Sequence, residues 1–353
     1  MIEKGGGQMK KFGLLLLLSV IFGGALILFV TCDDNPIKTE PQVSDYDIYF
    51  RDFNYGKFYV FNTKAMALVD TFELPYPGEE PEISADGRYL FIPHEKVAVV
   101  DVKTKELVTE LDASGDRVEI SPDNRFIAVL GDSLAIFDAV SFTKVFTDTI
   151  NPLYGHFTHN SGRFYCTIYP PLLGYQLYRL DLSTEPPLAE IIGYPGHFPG
   201  FAVVSRDESH IYLIAGNPIM YFEIYNRLTD SLEFSHRLQT WIAYITISPD
   251  GKYVIYDEGE RFVTTEDPLS PRTISVYDVE AQRMKTVIPT FGVVADYMEG
   301  IPAGNLIVTP DCRWLVAGGG GLVLVDLQKM QTMKIITLPY TAIGHVSCRQ
   351  IKK

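Results

Sequence analysis

Cysteine and tryptophan are scarce in this chain. Four cysteines and two tryptophans among 353 residues exclude a scaffold built on disulfides. Positive charge is also short: 30 Lys and Arg face 44 Asp and Glu, a formal net charge of −14. No long basic run offsets it, so nucleic acid is not an expected partner. After Val30 no segment sustains apolar residues at i, i+3, i+4 and i+7, which excludes a helical fold. Catalytic signatures are missing too. There is no Gly-x-Ser-x-Gly elbow, no CxxCH for haem attachment and no metal-ligand pair at fixed spacing. Gly318-Gly319-Gly320-Gly321 lacks the Gly-Lys-Ser/Thr of a phosphate loop and reads as a tight hairpin. No resident cofactor or metal is implied. What the chain does have is 46% hydrophobic residues, 21 Tyr, 21 Phe, 28 Gly and 22 Pro. That is enough for a sizeable core of short strands joined by tight turns.

Lys10-Lys11 precede a 19-residue apolar run, Phe12 to Val30, followed by Thr31-Cys32-Asp33-Asp34. A basic start, an apolar stretch and a small residue before Cys read as an export signal. Met9 is the expected true start, because Lys4-Gly5-Gly6-Gly7 resembles a translated ribosome-binding site. Leu28-Phe29-Val30-Thr31-Cys32 resembles the lipobox of bacterial lipoproteins, which implies acylation of Cys32. Phe29 and Thr31 depart from that pattern, and Leu28 stands one place early. The run is also just long enough to cross a bilayer as an uncleaved anchor with Lys10 and Lys11 inside. A cleaved, soluble product is the third alternative. Residues 1–31 are thus a signal or membrane anchor, and residues 32–44, with Pro36 and Pro41, a tether. Every alternative places the rest of the chain outside the cytoplasm, in the periplasm or cell envelope. Asp33 and Asp34 resemble the acidic residues tied to inner-membrane retention in some Gram-negative bacteria.

Two turn motifs recur along residues 45–350. The first is Ile120-Ser121-Pro122-Asp123-Asn124-Arg125-Phe126, repeated as Ile247-Ser248-Pro249-Asp250-Gly251-Lys252-Tyr253. Variants begin at Ile83, Val204 and Val308, and a weaker copy spans His159 to Phe164. Pro pre-sets φ, Asp bonds its own backbone, and Gly or Asn tolerates positive φ, so each copy is a β-turn. In the second motif an apolar strand ends in Asp or Asn, at Asn62, Asp101, Asp138, Asp181, Asn226, Asp278 and Asp326. These seven positions lie about 37 to 52 residues apart, the period of a four-stranded propeller blade. Seven units predict an all-β, seven-bladed β-propeller of four-stranded antiparallel blades. The first unit begins at a second strand, Asp45 to Phe50, and the segment Ile343 to Cys348 supplies a spare one. Closure is therefore expected from the C-terminal strand completing blade one, which removes open edges. A monomer is expected.

The Ser-Pro-Asp-Gly-Lys/Arg-aromatic turns and Ile274-Ser275-Val276-Tyr277-Asp278-Val279 resemble the YVTN-type propellers related to WD-repeat proteins. The Gly-His and Trp-Asp of true WD repeats are absent from their expected places. The resemblance covers about residues 45–350 and implies a fold rather than an activity. Such propellers include extracytoplasmic binding proteins, lactonases, and haem- or quinone-dependent oxidoreductases.

Ligands of propellers commonly bind at the channel mouth. Gly155-His156, Gly196-His197 and Gly344-His345 are placed at entries to innermost strands, and His94 in a second-to-third-strand loop. Glu82, Arg117 and Glu119 occupy comparable entry positions. Together these seven residues form either a polar funnel for a small ligand or metal, or ordinary turn residues with rings bonded to nearby backbone. His159, His210 and His236 are expected to be surface or packing residues. Residues 257–273 and 290–304 lengthen two loops on the mouth face, forming a lid, a partner surface or a solvated acidic loop. Cys166 is a strand residue. Cys312 and Cys348 are placed at corresponding turns, either bridged or as two free thiols. The expected role is a membrane-tethered propeller that binds a protein or envelope ligand without chemistry. The alternatives are a lactonase- or lyase-type enzyme, in which His156, His345, Glu82 or Glu119, and Arg117 converge, and a haem or quinone propeller.

Overall fold

Every turn of the Ser-Pro-Asp type sits between the first two strands of a four-stranded antiparallel sheet, and there are seven such sheets. The computed structural model describes residues 45–350 except 53–56, 76–80, 170–175, 195, 198, 217–218, 239–241, 259–272, 290–305, 319–320 and 337–342. The signal, the tether, the second insertion and all of the first but Asp257, Glu258 and Thr273, which end and begin strands, therefore lie outside the described residues. Among the described residues no helix occurs.

The innermost strands are Glu82–Ile83 in blade 2, Arg117–Ile120 in blade 3 and Pro152–Phe157 in blade 4. Pro199–Val204, Ile242–Ile247 and Leu306–Val308 follow in blades 5 to 7. In blade 1 the innermost strand is the C-terminal Ile343–Gln350, paired antiparallel with Tyr46–Asp52. Neighbouring innermost strands touch in an unbroken cycle through all seven blades, so the ring closes as the sequence predicts.

Burial follows from the stacking of sheets. Middle strands are covered on both faces and read as continuous apolar runs: Phe126–Leu130 and Leu134–Asp138 are almost wholly buried. Outermost strands have no neighbour on one edge and alternate with solvent, as in Leu107–Leu111. The core is divided into seven apolar clusters, one at each junction between consecutive blades. The cluster between blades 7 and 1 holds Trp314, Val316, Leu322 and Leu324 against Tyr46, Ile48, Phe50 and Phe61.

The turns are built from one recurring bond set. Ser121 Oγ accepts from Arg125 N at 3.0 Å and Phe126 N at 2.9 Å, and donates to Asp123 at 2.8 Å. The third residue after the hydroxyl has positive φ in six blades: Gly87, Asn124, Ser161, Glu208, Gly251 and Cys312. Some of these residues also tie one blade to the next. Asn124 accepts from Ala85 N of blade 2 at 2.8 Å, and Ser161 from Asp123 N of blade 3 at 3.2 Å. Cys312 is a free thiol whose pKa burial pushes up to about 11. Cys348 departs from the sequence expectation. It lies within the closing strand, opposite Ile48, because that strand runs on to Gln350; its side chain is outside the described residues. Cys166 is a buried strand residue.

Candidate functional site at the channel mouth

Counting back from each turn hydroxyl puts the innermost strands on one scale. Four residues before it stand Arg117, Tyr154, Phe201 and Tyr244 in blades 3 to 6. In blade 1 the register of the closing strand puts His345 at the same level; its side chain is outside the described residues. Alternation within a strand puts Arg117, Tyr154, Phe201 and Tyr244 on the same face of their sheets, on the far side of the innermost strand from the Ser-Pro-Asp turn.

They come together. The Arg117 guanidinium lies 4.3 Å from the Tyr154 ring centre and 5.8 Å from that of Tyr244. Its Nη1 donates to the Leu153 carbonyl at 3.3 Å. The Tyr154 and Phe201 rings are 3.7 Å apart, and Tyr244 stands at 6.3 Å from the first and 5.6 Å from the second. Four consecutive blades thus supply a guanidinium and three aromatic rings to one cluster, in which Tyr244 is buried in the core between blades 6 and 7 and Arg117, Tyr154 and Phe201 are half-buried. Sequence reasoning found Arg117 and missed the rings, because a Tyr or Phe in a strand is ordinarily read as core. The signal was present as an equal offset from each turn.

Two residues deeper lie Glu82, Glu119 and His156, all half-buried. His156 is a correction. It is not at a strand entry but is the fifth of six residues in Pro152–Phe157, since the strand starts three residues before Gly155. Burial lowers its pKa to about 4, so it is neutral at neutral pH. Gly155 is required because an added Cβ would strike the Phe164 ring. His94 is exposed in its loop, where its carbonyl accepts from Gly115 N at 3.3 Å. His159 and His236 are exposed, and His210 bonds Ser209 at 2.7 Å and Glu233 at 3.1 Å.

His197 belongs elsewhere. It lies on the connection from blade 4 to blade 5, and its Nδ1 is 2.7 Å from Glu223 Oε1. Glu223, on Tyr221–Asn226, has a fully buried side chain. It also accepts from the Tyr194 hydroxyl, from His197 N at 3.1 Å and from Ser235 Oγ at 2.8 Å. Burial alone would raise the Glu223 pKa. The bonds from Tyr194, His197 and Ser235 outweigh it and hold the carboxyl below its usual range. Burial, then the bond to Glu223, pushes the Tyr194 phenol up. The His197 ring is stacked on Tyr221 at 3.7 Å. Gly196 lets the chain pass, for a Cβ there would meet the Tyr194 hydroxyl and the Glu223 carboxylate. Sequence reading did not single out Glu223, which lies 26 residues along the chain from its histidine.

Among the described residues, no group of three or more His, Cys, Asp or Glu is arranged to hold a metal ion. No known family matches the chain, and no curated protein matches it in sequence. Solved structures do. The chain is similar to hydrazine synthase of Kuenenia stuttgartiensis, at 14% identity over 75% of this chain and 88% of that one, with a TM-score of 0.60. It is similar to the dihydro-heme d1 dehydrogenase NirN in complex with DHE, at 14% identity over 85% and 74%, TM-score 0.56. It is also similar to the β-propeller domain of Myceliophteria thermophila Cps50 (Swd1), at 10% identity over 77% and 90%, TM-score 0.59. Likenesses at such identities are likenesses of fold: the chain is a seven-bladed propeller.

Proposed function

We propose that this chain is an exported propeller of the YVTN type, tethered to the membrane through acylated Cys32, that binds a protein or small molecule of the cell envelope at its channel mouth. One observation carries the reading: Arg117, Tyr154, Phe201 and Tyr244, on the innermost strands of four successive blades, form a single cluster. Tyr and Arg in a rigid, partly desolvated setting are the residues that dominate binding energy at interfaces. A closed ring fixes their backbones, so little order is lost when a ligand arrives. The basic start, the apolar run and Cys32 support export and anchoring, and the acidic balance supports a partner other than nucleic acid.

Of the similar proteins, one is named a synthase, one a dehydrogenase and one by its propeller domain. That spread favours no single chemistry here.

The test is capture from solubilised membranes with the purified propeller as bait, alongside Tyr154→Ala and Phe201→Ala. Wild type is expected to retain a specific partner or envelope molecule. Each variant should weaken capture by about thirtyfold, the worth of ~2 kcal/mol at a hot spot. Failure to capture anything specific, or capture that neither variant weakens, would overturn the reading.

A further inference from the structure

The Glu223–His197 pair has a geometry that structural packing alone does not call for. A carboxylate with no exposed surface receives the Tyr194 hydroxyl, the Ser235 hydroxyl, a backbone N–H and an imidazole nitrogen. An ionised carboxylate only accepts hydrogen bonds, so Nδ1 of His197 must be the donor. That fixes the tautomer: in the neutral ring, Nε2 carries the lone pair. The His197 side chain is 45% exposed, while stacking on Tyr221 and the lack of room at Gly196 hold the ring and its backbone in place. A buried carboxylate orienting an imidazole makes the other nitrogen a better proton acceptor and stabilises the imidazolium that forms. The groups facing the pair are Tyr194 on the connection, itself packed edge-on against Tyr225, Tyr221 on the third strand of blade 5, and Ser235 on the fourth. None of them brings a competing positive charge.

We propose that His197 is a general base on the face of the ring that carries the channel mouth, positioned by Glu223, and that it promotes hydrolysis of activated acyl esters. Nε2 takes a proton from water as the water oxygen bonds to the acyl carbon. The ester C–O bond breaks, and the proton passes from Nε2 to the departing oxygen. Ester and water give carboxylic acid and alcohol, and the imidazole is regenerated. An activated ester is the fitting class because its leaving group needs little help beyond a base with access to water. The site is separate from the aromatic cluster, so this proposal stands or falls independently of the binding role.

The probes are diethyl pyrocarbonate and p-nitrophenyl acetate. At pH 8, wild-type His197 is expected to be carbethoxylated about tenfold faster than the exposed His159 and His236, read by peptide mass spectrometry. His197→Gln should remove most of the protein-dependent ester hydrolysis, and His159→Gln should leave it unchanged. Glu223→Gln should lower the rate and displace its pH profile, with Glu223→Asp restoring part of both. Labelling of His197 no faster than that of His159 and His236 would overturn the proposal, as would hydrolysis that survives His197→Gln. The labelling comparison uses the wild-type protein, so a variant that fails to fold does not remove the test.

Discussion

Ser121 shows how much of this fold rests on single side chains. Its hydroxyl has no exposed surface, accepts two backbone N–H groups and donates to Asp123. Ser121→Ala leaves the Phe126 N–H without its acceptor and the Arg125 N–H with Asp123 Oδ1 alone, at 3.1 Å, a loss of about 1–3 kcal/mol. Urea unfolding followed by circular dichroism should show a lower midpoint and an unchanged slope. An unchanged midpoint would mean that water replaces the hydroxyl at no cost. At this scale the sequence was readable for turns and not for partners. Ser-Pro-Asp specifies its bonds within five residues, so its geometry was legible. Gly196-His197 resembles Gly155-His156 in the chain, yet one ring meets a buried carboxylate and the other has its pKa lowered by burial. The difference lies in Glu223 and Phe164, which reach those glycines only through tertiary folding.

The turns act as a set through their carboxylates. Hydrogen bonds and neighbouring cations hold Asp101, Asp123, Asp138, Asp181 and Asp250 below the usual carboxylate range, and Asp207 is lowered to about 2, chiefly by the Ser205 hydroxyl. A folded-state pKa below the unfolded value gives stability that is present above the ordinary range near ~4. That stability is lost as pH falls through the depressed values. The propeller is therefore expected to lose stability progressively between about pH 4 and pH 2. Asp207→Asn should be less stable than wild type at pH 7 and should converge with it near pH 2. Urea midpoints across that range check this, and a wild-type curve flat from pH 6 to 2 would contradict it. Solvent screens these exposed groups, so the effect is expected from the six together rather than from any one. The same turns made the blade count legible, since both motifs recur whatever lies in the strands between them. The aromatic cluster was less legible because its members share no motif, only a distance from the turn.

Across the whole molecule, the ring is a chain of seven like junctions, and its stability is close to a sum over neighbours. What turns a stack of sheets into a ring is Ile343–Gln350, which reaches back to pair with Tyr46–Asp52. Removing residues 343–353 opens the edge of Tyr46–Asp52 and loosens the cluster in which Tyr46, Ile48 and Phe50 meet Trp314 and Leu324. Losing one large aromatic from a core costs about 3–5 kcal/mol. Loosening several at once therefore approaches the ~5–15 kcal/mol that holds a typical domain together. The truncated chain is expected to lose its cooperative thermal transition and to aggregate through the exposed edge. Adding a peptide of residues 343–353 in trans should restore the transition, because an isolated strand can pair with an open sheet edge. If the truncated protein instead melts as wild type does, the closing strand is dispensable, and the seven junctions hold the ring without it.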